Sequence, residues 1–190
     1  IGADYPDIAK EHLIVDIGAA RLADSPGDFD VVVLPNLYGD ILSDVAAQIA
    51  GSVGLAPSAN IGLHGAMFEA IHGSAPPLAG RDLANPSGLL LAGVMMLQHV
   101  GQRDIAARIH NAWLATIEAG LHTADIHLPG VSSAKLGTRA FADAVISRLG
   151  SGPRTLMPAA TVEDAGPVPI PAYVRPQAAT KTLAGVDVFV

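Results

Sequence analysis

Residues 31–34 are three valines and a leucine, an apolar β-branched run as long as one short strand, and Pro35 closes it. Proline has no backbone N–H to give to a sheet, so a strand read here ends at that point. Beyond the proline the apolar period changes. Ile41, Leu42, Val45, Ala46 and Ile49 recur at the spacing of a helix face, so the segment predicts a strand running directly into a helix that ends near Gly51 or Gly54.

That helix carries a conflict. Asp40 and Asp44 stand four residues apart, stacked on one side about a turn from each other. Like charges so placed cost roughly 0.2–0.5 kcal/mol in a bare helix, and Asp is a poor helix former. One explanation is that Asn36 caps the helix and Asp40 lies in its first turn, where the macrodipole favours a negative charge. This leaves Asp44, a turn further in, without a reason. The other explanation is a divalent cation held by oxygen ligands, Mg²⁺ or Mn²⁺ rather than zinc in a chain without cysteine.

Around this stretch the chain alternates. Residues 12–15 form a short strand candidate with Asp16 at its end, residues 17–22 a short helix, and Ser25-Pro26-Gly27-Asp28 a turn. Strand, helix, strand, helix with short turns predicts an α/β fold. Asp16 reads equally as a turn residue or as a group with chemistry. Residues 51–65, rich in glycine and small side chains, predict a loop and a short strand, and residues 67–71 lead into His72-Gly73-Ser74-Ala75-Pro76-Pro77. A loop of this kind leaves N–H groups free for an anion or a ribose, while His72 can also be a buried, hydrogen-bonded histidine. Asn85-Pro86 predicts a helix start, with Asn as N-cap and Pro at the first position. The helix over 86–100 is apolar on nearly every face and is expected to be central and buried. A second helix over 104–119 places Ile105, Ile109, Ala112, Trp113, Thr116 and Ile117 on one side, with Trp113 read as core. A third over 139–149, capped by Thr138, is expected to bury Phe141, Val145, Ile146 and Leu149. Beyond Gly150, six of the fourteen prolines fall between Pro153 and Pro176, which reads as an extended linker.

Composition excludes several function classes. Half the 190 residues are hydrophobic and the mean hydropathy is +0.40, ample for a buried core. The net charge is −7, with eleven scattered Lys and Arg residues, so no basic stripe exists for nucleic acid or anionic lipid. The most apolar run, residues 89–97, falls well short of the ~20 residues of a membrane span. No signal peptide is read, and the lack of cysteine fits a reducing cytoplasm. Both ends read as cut: the first residue is Ile1, and residues 186–190 form a strand-like run that stops as it begins to need partners.

Taken in order, N-L-Y-G-D-I-L-S-D, G-L-A-P-S-A-N-I-G, F-E-A-I-H-G-S-A-P and the N-P ahead of an M-M-L helix form a set that resembles the isocitrate and isopropylmalate dehydrogenases, the β-decarboxylating dehydrogenases. The resemblance covers roughly residues 5–150. It implies an α/β fold of that family's own type, present in part. This is not a Rossmann fold, and no G-x-G-x-x-G occurs. It also implies a reaction: a metal-bound 2-hydroxy acid is oxidised by hydride transfer to NAD or NADP, and the β-keto acid formed loses carbon dioxide.

By position, the resemblance implies Asp40 as principal metal ligand, Asp44 as its neighbour, and Asp16 as the ligand donated across a homodimer interface. His72, Gly73, Ser74, Ala75 and Pro76 match the adenosine-side cofactor loop, and Asn85 the residue that contacts adenine. Residues 1–50 would belong to a small dimerisation domain, 51–150 to the C-terminal part of a large domain, 151–181 to the linker. Residues 182–190 would begin a further C-terminal domain, as in the longer bacterial isocitrate dehydrogenases, which favours isocitrate over isopropylmalate or tartrate. A non-catalytic regulatory subunit of the family is the reading from another class, and the presence of all three aspartates speaks against it. The catalytic tyrosine and lysine are expected upstream, with no lysine between Lys10 and Lys135. The two positions after H-G-S-A-P in the family's cofactor-discriminating loop are Pro77 and Leu78, neither charged. Arg81 is then the candidate for a 2′-phosphate, or simply a solvated loop arginine.

Overall fold

The computed structural model describes residues 4–160, together with residues 174, 177, 180 and 182. Five α-helices and four short strands succeed one another in that stretch: α1 (Val15–Asp24), α2 (Asn36–Ile49), β1 (Pro57–Ile61), β2 (Ala66–Ala70), α3 (Ser87–His99), α4 (Arg103–Glu118), β3 (Leu121–Thr123), β4 (Ala134–Leu136) and α5 (Thr138–Ile146). The mixture of helix and strand is that of the α/β class expected. Among the described residues no helix is long and apolar enough to cross a membrane.

The strands pair only within two small sheets. β1 and β2 are antiparallel, with Pro57 opposite Ala70 and Ile61 opposite Ala66, and β3 runs parallel to β4, Leu121 opposite Ala134. The strands expected at residues 12–15 and 31–34 are not found: Val15 opens α1, and 31–34 belongs to no ladder. A β-branched run favours extended backbone, but a strand exists only where a neighbour takes its hydrogen bonds. No described segment does so, and Val31 and Val33 are 80% and 88% exposed.

The helices pack around β1 and β2 through α3, which also lies against α4. Ala112, Phe141 and Val145 form the buried centre, with Leu90, Trp113, Ile117 and Leu136 against it. Phe141 is fully buried, so the aromatic of α5 is the peg that joins α4 to α5. Other core expectations are corrected. Ile146 and Leu149 are exposed, as are Leu89 and Met96 of α3; α5 ends at Ile146, so Leu149 lies beyond the helix expected to bury it.

Some helix ends depend on caps that lie far away in sequence. α5 starts at Thr138, and Thr138 is not its cap: its hydroxyl donates to the Ala84 carbonyl, while Asp82 Oδ1 accepts the Arg139 N–H at 3.0 Å. Asn85 does serve the start of α3, Oδ1 accepting from Ser87 N at 3.0 Å, and the helix opens one residue beyond Pro86. Gly101 and Gly120, after α3 and α4, have φ of +83° and +70°, the left-handed turn that closes a helix and that glycine takes without strain.

The expected linker has neither helix nor strand over residues 151–160, yet it is fastened. Glu118 at the end of α4 accepts from the N–H groups of Arg154, Thr155 and Leu156 and from the Thr155 hydroxyl. Asn111 exchanges two hydrogen bonds with the backbone of Ala159. The bonds to Glu118 hold its carboxyl down at about 2, the Thr155 hydroxyl first and then the three N–H groups. The expected start of a C-terminal domain, residues 182–190, lies outside the described residues apart from Thr182.

Candidate functional site

The loop after β2 and the turn before α3 face one another across a cavity of about 1070 Å³. His72, Gly73, Ser74 and Ala75 line it from one side and Asn85 from another, so the proposed cofactor loop and the proposed adenine contact share one space. Pro76 opens the short 3₁₀ turn Pro76–Leu78 behind it. Backbone strain is concentrated on this loop: Ala75 (φ +42°) and Asp82 (φ +52°) are the non-glycine residues in the left-handed region among those described. A side chain held there costs of order 1–3 kcal/mol and persists where its surroundings over-determine it.

A polar chain runs behind the cavity wall. Trp113 Nε1 donates to Ser87 Oγ (2.9 Å), Ser87 N to Asn85 Oδ1 (3.0 Å), and Asn85 Nδ2 to Asp125 Oδ2 (3.0 Å). Thr123 Oγ1 completes it with a 2.6 Å bond to Asp125 Oδ1. Asn85, Ser87 and Thr123 are buried, so each bond satisfies a group that water does not reach. Gly54 makes the approach feasible: a Cβ there would meet Asn85 Cβ at 2.9 Å and Asp125 Oδ2 at 3.0 Å. Desolvation pushes the Asp125 carboxyl up, but hydrogen bonds from Ser52, Thr123, Asn85 and its own N–H outweigh it and hold the pKa below the ordinary value. Asp125 is thus a fixed anion at the cavity wall. The Asn85 amide still has one donor and one acceptor to offer a ligand.

Asp125, Ser52, Asp82 and Arg139 all line this cavity and were not singled out from sequence. An aspartate just after a three-residue strand has no local signature. Arg81, in contrast, is outside the lining, its guanidinium donating to the Pro77 carbonyl at 3.3 Å.

The acidic helix is a different environment. Asp40 and Asp44 are exposed on α2, and no cation pairs with either among the described residues. The capping explanation fails here: α2 begins at Asn36, which is its first helical residue and bonds no N–H through its side chain, so Asp40 lies beyond the first turn. Leu42 and Ala47 are buried, whereas Leu37, Tyr38, Ile41, Val45 and Ile49 are exposed. Asp16 is exposed in the first turn of α1, its Oδ1 accepting from Ile17 N at 2.7 Å. Among the described residues no three acidic or histidine side chains gather into a metal-binding group. As a donor set, two carboxylates one helical turn apart and open to solvent fit a hard cation such as Mg²⁺ or Mn²⁺, with room for further ligands.

Comparison with known proteins converges on one family. The sequence profile described as isocitrate/isopropylmalate dehydrogenase matches residues 1–145. An isocitrate dehydrogenase (NADP) of Rickettsia bellii is 63% identical over 156 residues, 82% of this chain and 32% of that protein. A 3-isopropylmalate dehydrogenase of Symbiobacterium thermophilum is 46% identical over 157 residues, 78% of this chain and 42% of that one. Among solved structures, the TT0538 protein of Thermus thermophilus superposes with a TM-score of 0.76 at 40% identity, covering 89% of this chain and 35% of that chain. The chain therefore spans about a third of the length of the first relatives it matches.

Proposed function

The chain belongs to the isocitrate/isopropylmalate dehydrogenase family, and we propose that it is part of an NADP-dependent isocitrate dehydrogenase that converts isocitrate to 2-oxoglutarate with Mg²⁺ or Mn²⁺. The observation that carries this reading is the convergence of His72, Gly73, Ser74, Ala75 and Asn85 on one cavity in a chain whose acidic pair stands elsewhere. Identity supports isocitrate over isopropylmalate, 63% against 46% for the two relatives named above. The name of the Rickettsia relative supports NADP over NAD.

In this reading Asp40 and Asp44 hold the divalent cation, with Asp16 of a second copy completing the set. A cation held there would supply Lewis-acid polarisation of the substrate's hydroxyl oxygen as the carbon that bears it is oxidised, and would stabilise negative charge developing on that oxygen. The residues of the chain do the rest by position. The two like charges on α2 are unneutralised by any described cation, so a cation held between them would relieve their repulsion. Asn85 is locked by Asp125 and Ser87 and presents its remaining amide valences to the adenine edge. Among the described residues no acceptor takes the N–H groups of His72, Gly73, Ser74 and Ala75, which leaves them for the adenosine side in this reading.

The same reading makes the exposed face of α2 a dimer surface. Leu37, Ile41 and Val45 recur every fourth residue and form a stripe, next to the acidic pair, and a second copy related by a two-fold axis would cover it with its own. The small-domain and large-domain division at residue 50 is part of this proposal. The test is turnover of the full-length protein with isocitrate and with 3-isopropylmalate, each with NADP and NAD, at limiting Mn²⁺. Metal-dependent reduction of NADP by isocitrate alone is the expected outcome; turnover of 3-isopropylmalate alone would overturn the substrate assignment.

A further inference from the structure

Resting on the reading of this pocket as the NADP site, we propose that Arg139, in the first turn of α5, is the cation that recognises the ribose 2′-phosphate. A phosphate monoester carries about −1.5 to −2 charges near neutral pH, and a cavity that accepts it must set a cation against it. Among the described residues the lining holds two carboxylates, Asp82 and Asp125, and one Lys or Arg, which is Arg139. Arg81 is outside that lining and donates instead to Pro77. Among the described residues no carboxylate pairs with the Arg139 guanidinium.

Arg139 is held in place by a staple between the loop of residues 80–85 and α5. The Asp82 carbonyl accepts from Thr138 N at 3.2 Å, Asp82 Oδ1 accepts from Arg139 N at 3.0 Å, and the Thr138 hydroxyl donates to Ala84 O. Gly137 closes the contact, since a Cβ at that position would meet Asp82 Oδ2 at 2.3 Å. The left-handed backbone of Asp82 is the cost of this geometry. Part of the Asp82 charge is thereby committed to the N-terminus of α5. Asp125 is occupied by Asn85, Ser52 and Thr123. Both carboxylates of the lining thus accept from protein donors, and among the described residues the guanidinium is the lining charge left for a ligand. Asp82 acts as a positioning residue, and Arg139 decides between a 2′-phosphate and a 2′-hydroxyl.

The experiment is direct binding of NADPH and NADH to the full-length protein by calorimetric titration, for the wild type, Arg139→Ala, Arg139→Lys and Arg81→Ala, with the melting temperature of each unliganded protein measured alongside. Arg139→Ala is expected to weaken NADPH roughly 10- to 100-fold, the scale of a charge-assisted hydrogen bond, with NADH changed less than about twofold and the melting temperature unmoved. Arg139→Lys should recover part of the loss, because the charge remains and the planar fork does not. Arg81→Ala should bind NADPH like the wild type. Equal losses for NADPH and NADH, an unchanged NADPH affinity in Arg139→Ala, or transfer of the loss to Arg81→Ala would each overturn the proposal. If the wild type binds neither nucleotide, the pocket reading itself fails and this assignment falls with it.

Discussion

Residues 52–146 and residues 7–49 solve the same packing problem to different extents. In the first region the polar groups of the cavity wall find partners from other elements: Trp113 with Ser87, Asn85 with Asp125, Asp82 with the start of α5. In the second, two helices touch, yet Val31, Val33, Leu37 and Ile41 lie open, and the acidic pair has no counter-charge among the described residues. A surface with scattered exposed apolar residues is ordinary; a continuous stripe beside unneutralised carboxylates is not. The polar groups of the cavity wall are thus satisfied by described residues, whereas the acidic half has the chemistry of a site shared with something else, which we take to be a cation and a second copy.

The largest effect expected from disturbing that contrast is at Asp40. Asp40→Asn in the full-length protein should lower turnover at limiting Mn²⁺ by at least about 100-fold, since a catalytic metal is worth several kcal/mol of transition-state stabilisation. The melting temperature without metal should stay level or rise, because a like-charge pair has been relieved. Normal turnover at limiting Mn²⁺ would remove the metal role from Asp40. Next in size is the apolar stripe: Ile41→Asp puts an unpaired charge into the proposed interface, at a cost of about 2–4 kcal/mol, and should turn a dimer into a monomer in sedimentation velocity. A dimer unaffected by the change would place the interface elsewhere.

How legible each region was depends on how local its determinants are. The helix of α2 and the Asn85 turn are set by neighbours in sequence, and they stand where spacing and turn residues put them, whereas the pairing of β1 with β2 has no counterpart in the sequence reading of residues 51–71. Residues 31–34 have the composition of a strand without a ladder, because pairing is a property of two segments and composition describes one. The cap of α5 is Asp82 rather than the expected Thr138 for a related reason. Serine and threonine are good caps in general, but Asp82, 57 residues before Arg139, reaches that N–H first. Asp125 carries no mark in the sequence because what sets it at the cavity wall is its three side-chain donors, Asn85 among them, 40 residues away.

The pocket half sharpens the comparison with smaller effects. Asp125→Ala should leave the buried Asn85 and Thr123 donors without an acceptor and lower stability by about 1–3 kcal/mol, seen as a fall in denaturation midpoint together with weaker nucleotide binding. A change confined to nucleotide binding would mean the network is not structural. The smallest effect concerns the fastened segment after α5. The Glu118 carboxyl is depressed from 4.5 to about 2, so its contribution is complete above pH ~4.5 and fades as the pH falls toward 2. Hydrogen exchange at the amides of Arg154, Thr155 and Leu156 should therefore accelerate across that window, and should be fast at neutral pH in Glu118→Ala. Exchange already unprotected in the wild type at pH 7 would show that the clasp does not hold in solution.

A single cation site built from Asp40 and Asp44 of one copy and Asp16 of the other can be probed by mixing two inactive full-length variants, Asp16→Asn and Asp40→Asn, under conditions that let subunits exchange. In a mixed dimer the Asp16→Asn chain keeps its own Asp40 and receives an intact Asp16 from its partner, so one of the two sites is whole. Random exchange makes about half the dimers mixed, and a shared site then predicts recovery of roughly a quarter of wild-type activity. If the three carboxylates come from a single chain, every site in the mixture is broken, and activity that stays at the level of the separate variants after exchange would contradict the shared site.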